Sequence, residues 1–595
     1  MSVETLVDLF EQACSTYRKS EALLFKSDGR YQPISSMEFR ERVTHFAAGL
    51  AKFGIQKGDR IALLSENRPE WAIADLGMLS IGAINVPFYP TLPAAQICEL
   101  LNDSGSRMVI VSGELQLAKI ASIRGRVPSL EKVILMDPGE AGATEAQTFL
   151  DLLELGKQHL HGNRPVMESL RRQVQADDVA SIIYTSGTTG TPKGVMLTHR
   201  NIVTNVHDSA EAFDLSDFDV TLCFLPLCHI FQRTVDYLMM HLGVTIAYGE
   251  GFDSVPQNLQ EVRPTVAASV PRFFEKLYAR VNEAIKSSSP LKQRLMAWAL
   301  TVGKEHSRFL LAKQSVPAML KLRRVLADRL VFSKLRQKLG GRIRFFISGG
   351  APLEKELADF FFSVGILILE GYGLTETSPV ITVNRSRDFR FGTVGKVLRH
   401  VEVKIAEDGE ILARGPSIML GYYKREAETR EALEGGWFHT GDIGNLDPEG
   451  FLKITDRKKD LIVTASGKNV APQKIEGLLK TNSYFLNVVM IGNKRPFVSA
   501  LVVPNPEKIQ AQAKELGLDS ASYPEVIQSP RMKQFLLDQI HASTPELAPF
   551  EQVKRIAILE KDFTIDAGEL TPTMKVRRRF VESKYKDLIE KIYAS

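Results

Sequence analysis

Short apolar runs recur along this chain and alternate with segments of helical spacing. RIALLSEN (60–67), INVPFY (84–89), MVIVSG (108–113), KVILMD (132–137), ASIIYTS (180–186), TIAYG (245–249) and RFFISGG (344–350) read as buried strands. Between several of them the spacing turns helical, as from Pro69 to Ile81. Strand–helix alternation of this kind predicts an α/β fold with mostly parallel sheets flanked by helices. There is no fixed-period repeat and no low-complexity tract.

The pattern changes twice. From about 285 to 340 the chain is basic, and its apolar residues recur three and four apart, which predicts a helical insertion packed on the main body. The sharper alternative is a basic surface that meets a membrane or an acidic partner. Near 456 a strand pattern (450–455) gives way to DRKKD (456–460), and a new αβ unit follows. The charge run separates two apolar bodies, so it reads as a linker. The predicted division is a large N-terminal part at 1–456, a hinge at 457–460 and a small α+β domain at 461–595.

Composition narrows the classes. A chain of 595 residues is too long for one core and predicts two to four structural units. A formal net charge of +5 is small for that length and argues against a nucleic-acid partner. The N-terminal stretch lacks the basic start, apolar core and cleavage site of a secretory signal. No apolar run reaches the ~18 residues that a membrane helix needs. Four cysteines (Cys14, Cys98, Cys223, Cys228) without C-x-x-C spacing argue against a disulfide framework or zinc site, and make a reducing, cytoplasmic setting the default.

The most informative stretch is YTSGTTGTPKGVMLTH at 184–199. A strand pattern precedes it, and a strand end leading into a helix follows. The loop between gathers Thr185, Ser186, Gly187, Thr188, Thr189 and Gly190, with Lys193 close behind. Hydroxyls, glycine backbone N–H groups and a mobile cation suit a polyphosphate. The spacing is not that of a Walker A loop, since Lys193 is followed by glycine and the Mg²⁺-binding hydroxyl is missing.

That string resembles the phosphate-binding signature of the adenylate-forming superfamily. GYGLTETSP (371–379), WFHTGDIG (437–444), DRKKDLIV (456–463), SGKNVAPQKIE (466–476) and LTPTMKVRR (570–578) match it in the same order, and the match runs from about residue 5 to the end. The helical stretch at 285–340, LPLCHIFQR and LTPTMK look most like long-chain fatty acyl-CoA ligases. The resemblance implies ATP-dependent activation of a fatty acid to acyl-AMP, then transfer to CoA, with Mg²⁺ as cofactor.

It also implies roles. A hydroxyl beside a carboxylate, Thr375 and Glu376, suits an α-phosphate contact and a Mg²⁺ ligand. Tyr372 and the turn Gly349, Gly350, Ala351, Pro352 resemble the adenine pocket, Tyr372 offering a stacking face, and Gly371 and Gly373 beside it belong to the same ATP/AMP site. Asp442, read as lying at a strand end, and Arg457 resemble the ribose contacts; taken singly, each reads as a surface ion-pair partner. His229 is placed near the acyl carboxylate, although a lone histidine among apolar residues also reads as core. Lys575 resembles the lysine that bridges carboxylate and phosphate during adenylation. Lys459 matches the hinge about which the small domain rotates, and Ser466, Gly467 and Lys468 the segment that then lines a CoA tunnel.

Other readings stay open at this level. An acyl-carrier-protein synthetase or another carboxylate–CoA ligase has the same motifs, and a non-catalytic nucleotide or lipid sensor could keep the fold. Peripheral contact with a membrane and a homodimer are further expectations.

Overall fold

The computed structural model describes residues 3–137, 146–161, 164–185, 192–518, 521–564, 567–571 and 576–594. Two large sheets form the body. One has eight strands in the order Gly421–Tyr422, Lys193–Thr198, Val179–Thr185, Ile84–Phe88, Arg60–Leu64, Met108–Val111, Lys132–Leu135 and Gln147–Thr148. Its pairings are parallel from Val179–Thr185 through to Gln147–Thr148, and antiparallel where Lys193–Thr198 folds back and Gly421–Tyr422 joins. The other has nine strands, with parallel pairings from Leu23–Ser27 through to Leu367–Gly373. Helices cover both faces, which is why the predicted strands are continuous apolar runs rather than alternating ones.

The helix Pro69–Leu79 is buried almost all round, and it carries Asp75 at 1% exposure. The charge is matched by Arg233 of the helix Ile230–His241. Arg233 also donates to Ser181 at 2.8 Å and to the Tyr237 hydroxyl at 2.9 Å, and Asn85 donates to Asp75 at 2.7 Å. This cluster ties the first sheet to the helix that His229 caps. Removing one partner of such a pair leaves an uncompensated buried charge.

A four-stranded antiparallel sheet (Glu402–Ile405, Glu410–Arg414, Phe438–Leu446, Leu452–Arg457) leads to the last unit. Arg457 is therefore not in the linker: it ends a strand and faces Asp442 across the ladder. Beyond it, Phe485–Ile491, Ser499–Pro504 and Arg555–Ile558 form a three-stranded sheet with helices such as Pro472–Lys480 and Pro530–Ser543. The buried apolar clusters there contain only residues from Ile462 onward, and those of the body none of them. The two parts meet through polar contacts such as Lys508–Glu283 at 3.1 Å.

The basic helical stretch starts earlier than the pattern suggested. Pro271–Lys286, Pro290–Leu311, Ala318–Ala327, a π turn at Asp328–Phe332 and Ser333–Gln337 follow one another. Pro271 and Pro290 sit in the first turns of their helices, where a missing N–H costs nothing.

Candidate active site

A cavity of about 1430 Å³ opens at the carboxyl ends of the parallel strands of both large sheets, where open α/β sheets place their ligands. Thr185 and Lys193 face each other across the hairpin of Val179–Thr185 and Lys193–Thr198, and both line the cavity. Ser186, Gly187, Thr188, Thr189 and Gly190 lie outside the described residues. The Lys193 ammonium stands 5.0 Å from the centre of the Tyr422 ring.

Thr375 and Glu376 form a single 3-10 turn just after the strand Leu367–Gly373, and both reach the cavity. Glu376 Oε1 accepts a hydrogen bond from the Tyr422 hydroxyl at 2.9 Å. Burial pushes this carboxyl above its ordinary range, while that bond pulls the other way.

Asp442 corrects the sequence reading. It sits inside the strand Phe438–Leu446, not at its end, and is 4% exposed. Gly441, at φ +71°, lies where the ladder with Glu410–Arg414 shifts register, so the strand continues through an irregularity that reads as an end. Arg457 Nε donates to Asp442 Oδ1 at 3.0 Å, and the Tyr372 hydroxyl donates to Oδ2 at 2.7 Å. The two candidate ribose contacts are thus partners of each other. Tyr372 lines the cavity with Gly371 and Gly373, but the residue is only 9% exposed and its hydroxyl is already engaged.

Gly350, at φ +81°, lines the cavity; Ala351 and Pro352 are exposed and do not. His229 caps the helix Ile230–His241, its Nδ1 accepting from the Phe231 N–H at 3.2 Å, which leaves Nε2 to carry the proton. Around it the wall is largely apolar, with Phe231, Val235, Leu238, Ile183, Phe88 and Leu92.

The connecting segment and the small unit contribute as well. Lys458, Lys459, Asp460, Thr571 and Val576 to Phe580 line the cavity. Lys575 lies outside the described residues, between Thr571 and Val576. Ser466, Gly467 and Lys468 form an exposed turn in which the Lys468 N–H donates to Thr464 Oγ1 at 3.1 Å; in this pose the structure does not bring them to the cavity.

Residues 10–423 match the family model of the AMP-binding enzymes, and residues 459–595 that of the AMP-binding enzyme C-terminal domain. The chain belongs to the AMP-binding enzyme family. It is similar to the long-chain-fatty-acid–CoA ligase FadD15 of Mycobacterium bovis, 37% identical over 583 residues that cover 95% of this chain and 93% of that one. It is also similar to the peroxisomal long chain acyl-CoA synthetase 7 of Arabidopsis thaliana, 32% identical and covering 100% of this chain and 87% of that one. Two solved structures share the fold at low identity. An anthranilate CoA ligase bound to anthranoyl-AMP has a TM-score of 0.71 at 20% identity, covering 98% and 97% of the two chains. The adenylation domain of a carboxylate reductase from Mycobacterium chelonae has a TM-score of 0.76 at 22% identity, covering 99% and 91%.

Two features of this AMP-binding enzyme escaped the sequence reading. The Asp75–Arg233 pair had a signal: each is a lone charge of its sign inside an apolar helical run, WAIADLGML and IFQRTVDYLMM. Tyr422 had none, because one tyrosine in GYYK looks like any other.

Proposed function

We propose that this AMP-binding enzyme joins a long-chain fatty acid to CoA in two steps. A carboxylate oxygen attacks the α-phosphorus of ATP, and the bond to pyrophosphate breaks. The CoA sulfur then attacks the acyl carbon, and the bond to AMP breaks as the thiol proton is lost. One observation carries the reading: a single cavity joins a polar corner (Lys193, Thr375, Glu376, and Arg457 held by Asp442) to a wall of apolar side chains beside His229. The names of the two curated relatives support it.

In this reading Lys193 and the preceding loop hold the phosphates, and Thr375 meets the α-phosphate. Arg457 and Asp442 orient the ribose, and Tyr372 closes the adenine side. His229 presents Nε2–H to the acyl carboxylate. Positioning and charge stabilisation supply most of the acceleration. Among the described residues no group of three or more His, Cys, Asp or Glu is ready to hold an ion. A Mg²⁺ fits as one that arrives with the triphosphate, with Glu376 as its carboxylate, since that cation prefers phosphate oxygens and water to an all-protein cage. When bound it would neutralise charge on the phosphates.

The division into a body that runs to Arg457, a hinge at 458–460 and a lid at 461–595 belongs to the same proposal, the hinge expected at 457–460 being shortened by the strand that Arg457 ends. It is supported by the separate apolar clusters, and by Lys459 lying exposed between them. With the flanks of Lys575 at the cavity and Ser466–Lys468 turned away, the pose suits adenylation. Rotation of the lid would exchange them.

A panel of fatty acids of increasing length, with AMP and acyl-CoA both measured, tests the function. Palmitate should be activated and benzoate not, with CoA rather than a holo-carrier protein as acceptor. Absence of ATP–pyrophosphate exchange would favour a non-catalytic sensor instead.

We also infer peripheral contact with an anionic bilayer. No helix among the described residues is long and apolar enough to cross a membrane. The helix Ala318–Ala327, however, exposes Met319 (68%), Leu322 (66%) and Val325 (65%). Residues 291–340 carry twelve lysines and arginines against two acidic residues, whereas the whole chain nets only +5. An apolar stripe in a basic field suits anionic lipid, and like charge opposes pairing two copies through this face, so a homodimer would use another. Liposome flotation should be salt-sensitive and weakened by Leu322→Glu; retention at high salt would contradict it.

A further inference from the structure

Tyr422 touches both of the charged groups that the proposed mechanism places on the triphosphate. Its backbone is fixed on three sides. Tyr422 pairs with Val195 in the strand that begins at Lys193, the Tyr423 N–H donates to Gly194 O at 2.7 Å, and its own N–H donates to Thr429 Oγ1 at 2.9 Å. The side chain then lines the cavity. Its ring lies 5.0 Å from the Lys193 ammonium, and its hydroxyl lies 2.9 Å from Glu376 Oε1. The Met419 N–H donates to the Glu376 carbonyl at 2.8 Å, so the same segment holds that residue's backbone as well.

A cation over a ring face and a carboxylate at a phenol edge are both favourable contacts, and the two use different parts of the side chain. We propose that Tyr422 is a positioning residue that sets the distance between Lys193 and Glu376. The ring seats the ammonium where phosphate oxygens can reach it. The hydroxyl occupies Oε1 and leaves Oε2 to the cavity. The inference rests on the reading that Lys193 and Glu376 face the triphosphate.

Because ring and hydroxyl act on different partners, two variants separate them. Binding of a non-hydrolysable ATP analogue to the full chain, measured by calorimetry with and without Mg²⁺, is the readout. Tyr422→Phe keeps the ring and loses the donor, so binding should weaken about tenfold with Mg²⁺ present and stay unchanged without it. Tyr422→Leu loses both, so binding should weaken under both conditions. A purely structural tyrosine would give the same loss in both conditions for both variants, and that result, or a Tyr422→Phe protein that binds like the parent, overturns the proposal. Glu376→Gln measured alongside keeps the two ideas apart. If it leaves Mg²⁺-dependent binding intact, the reading of Glu376 fails; if it weakens that binding while Tyr422→Phe does not, only the role of Tyr422 fails.

Discussion

Asp442 and Lys468 lie close in sequence and at opposite extremes of environment. Asp442 is 4% exposed on a central strand of the body, with one carboxylate oxygen bound by Arg457 and the other by Tyr372. Lys468 is exposed on a turn whose backbone is satisfied by Thr464 of the same loop. The first is held by groups from two sheets, so its geometry is present before any ligand arrives. The second depends only on its own unit, so that unit can move as a body without breaking the turn. Pre-formed chemistry sits on the sheets, and the chemistry that must alternate sits where its supports travel with it.

The sharpest way to break this comparison is Lys575→Ala. A lid residue should serve one pose, so acyl-AMP formation should drop by about 10²–10³-fold while supplied acyl-AMP is still converted to the thioester. Pyrophosphate exchange and acyl-CoA formation report the two halves. An equal loss in both would put Lys575 with the fixed residues.

Body residues should behave the other way. Arg233→Met takes the matching cation from buried Asp75 and leaves it only the hydrogen bonds of Asn85 and Tyr237, and should cost about 3–5 kcal/mol in urea unfolding and lower both half-reactions together. A cost under about 1 kcal/mol would mean that the pair is as weak as a surface bridge.

Glu370 gives a smaller effect. Burial pushes its carboxyl from 4.5 up to about 8, and the backbone N–H of Leu353 at 3.0 Å only partly opposes this. The folded chain then holds a proton that the unfolded chain has released. Stability therefore falls as pH climbs from the unfolded value to about 8 and levels off above it. Glu370→Gln keeps an acceptor for Leu353 and should remove that slope. The gain should be on the order of 2–4 kcal/mol at about pH 8 relative to about pH 5, with no change in the ratio of the half-reactions. Denaturant curves at several pH values would show it.

The strands of the body were legible because burial on both faces writes an unbroken apolar run, as in MVIV and KVIL. The local surroundings of the site were not. HTGD read as a strand end, because a glycine with positive φ inside a ladder has the same letters as one that ends it. DRKKD read as a linker although Asp456 and Arg457 complete a strand, because charge marks solvent only when no partner waits across the sheet. Tyr422 was invisible because its partners come from positions near 193 and 376, and no local pattern records a contact made that far along the chain.

Lys459→Pro tests most directly whether one cleft serves two poses. Proline would fix φ and remove a backbone N–H at the joint while touching neither Asp442 nor Lys193. The account predicts that pyrophosphate exchange continues near the parent rate while acyl-CoA release stops. If the two half-reactions instead survive together, or fall together, the lid does not turn at Lys459 and the account is contradicted.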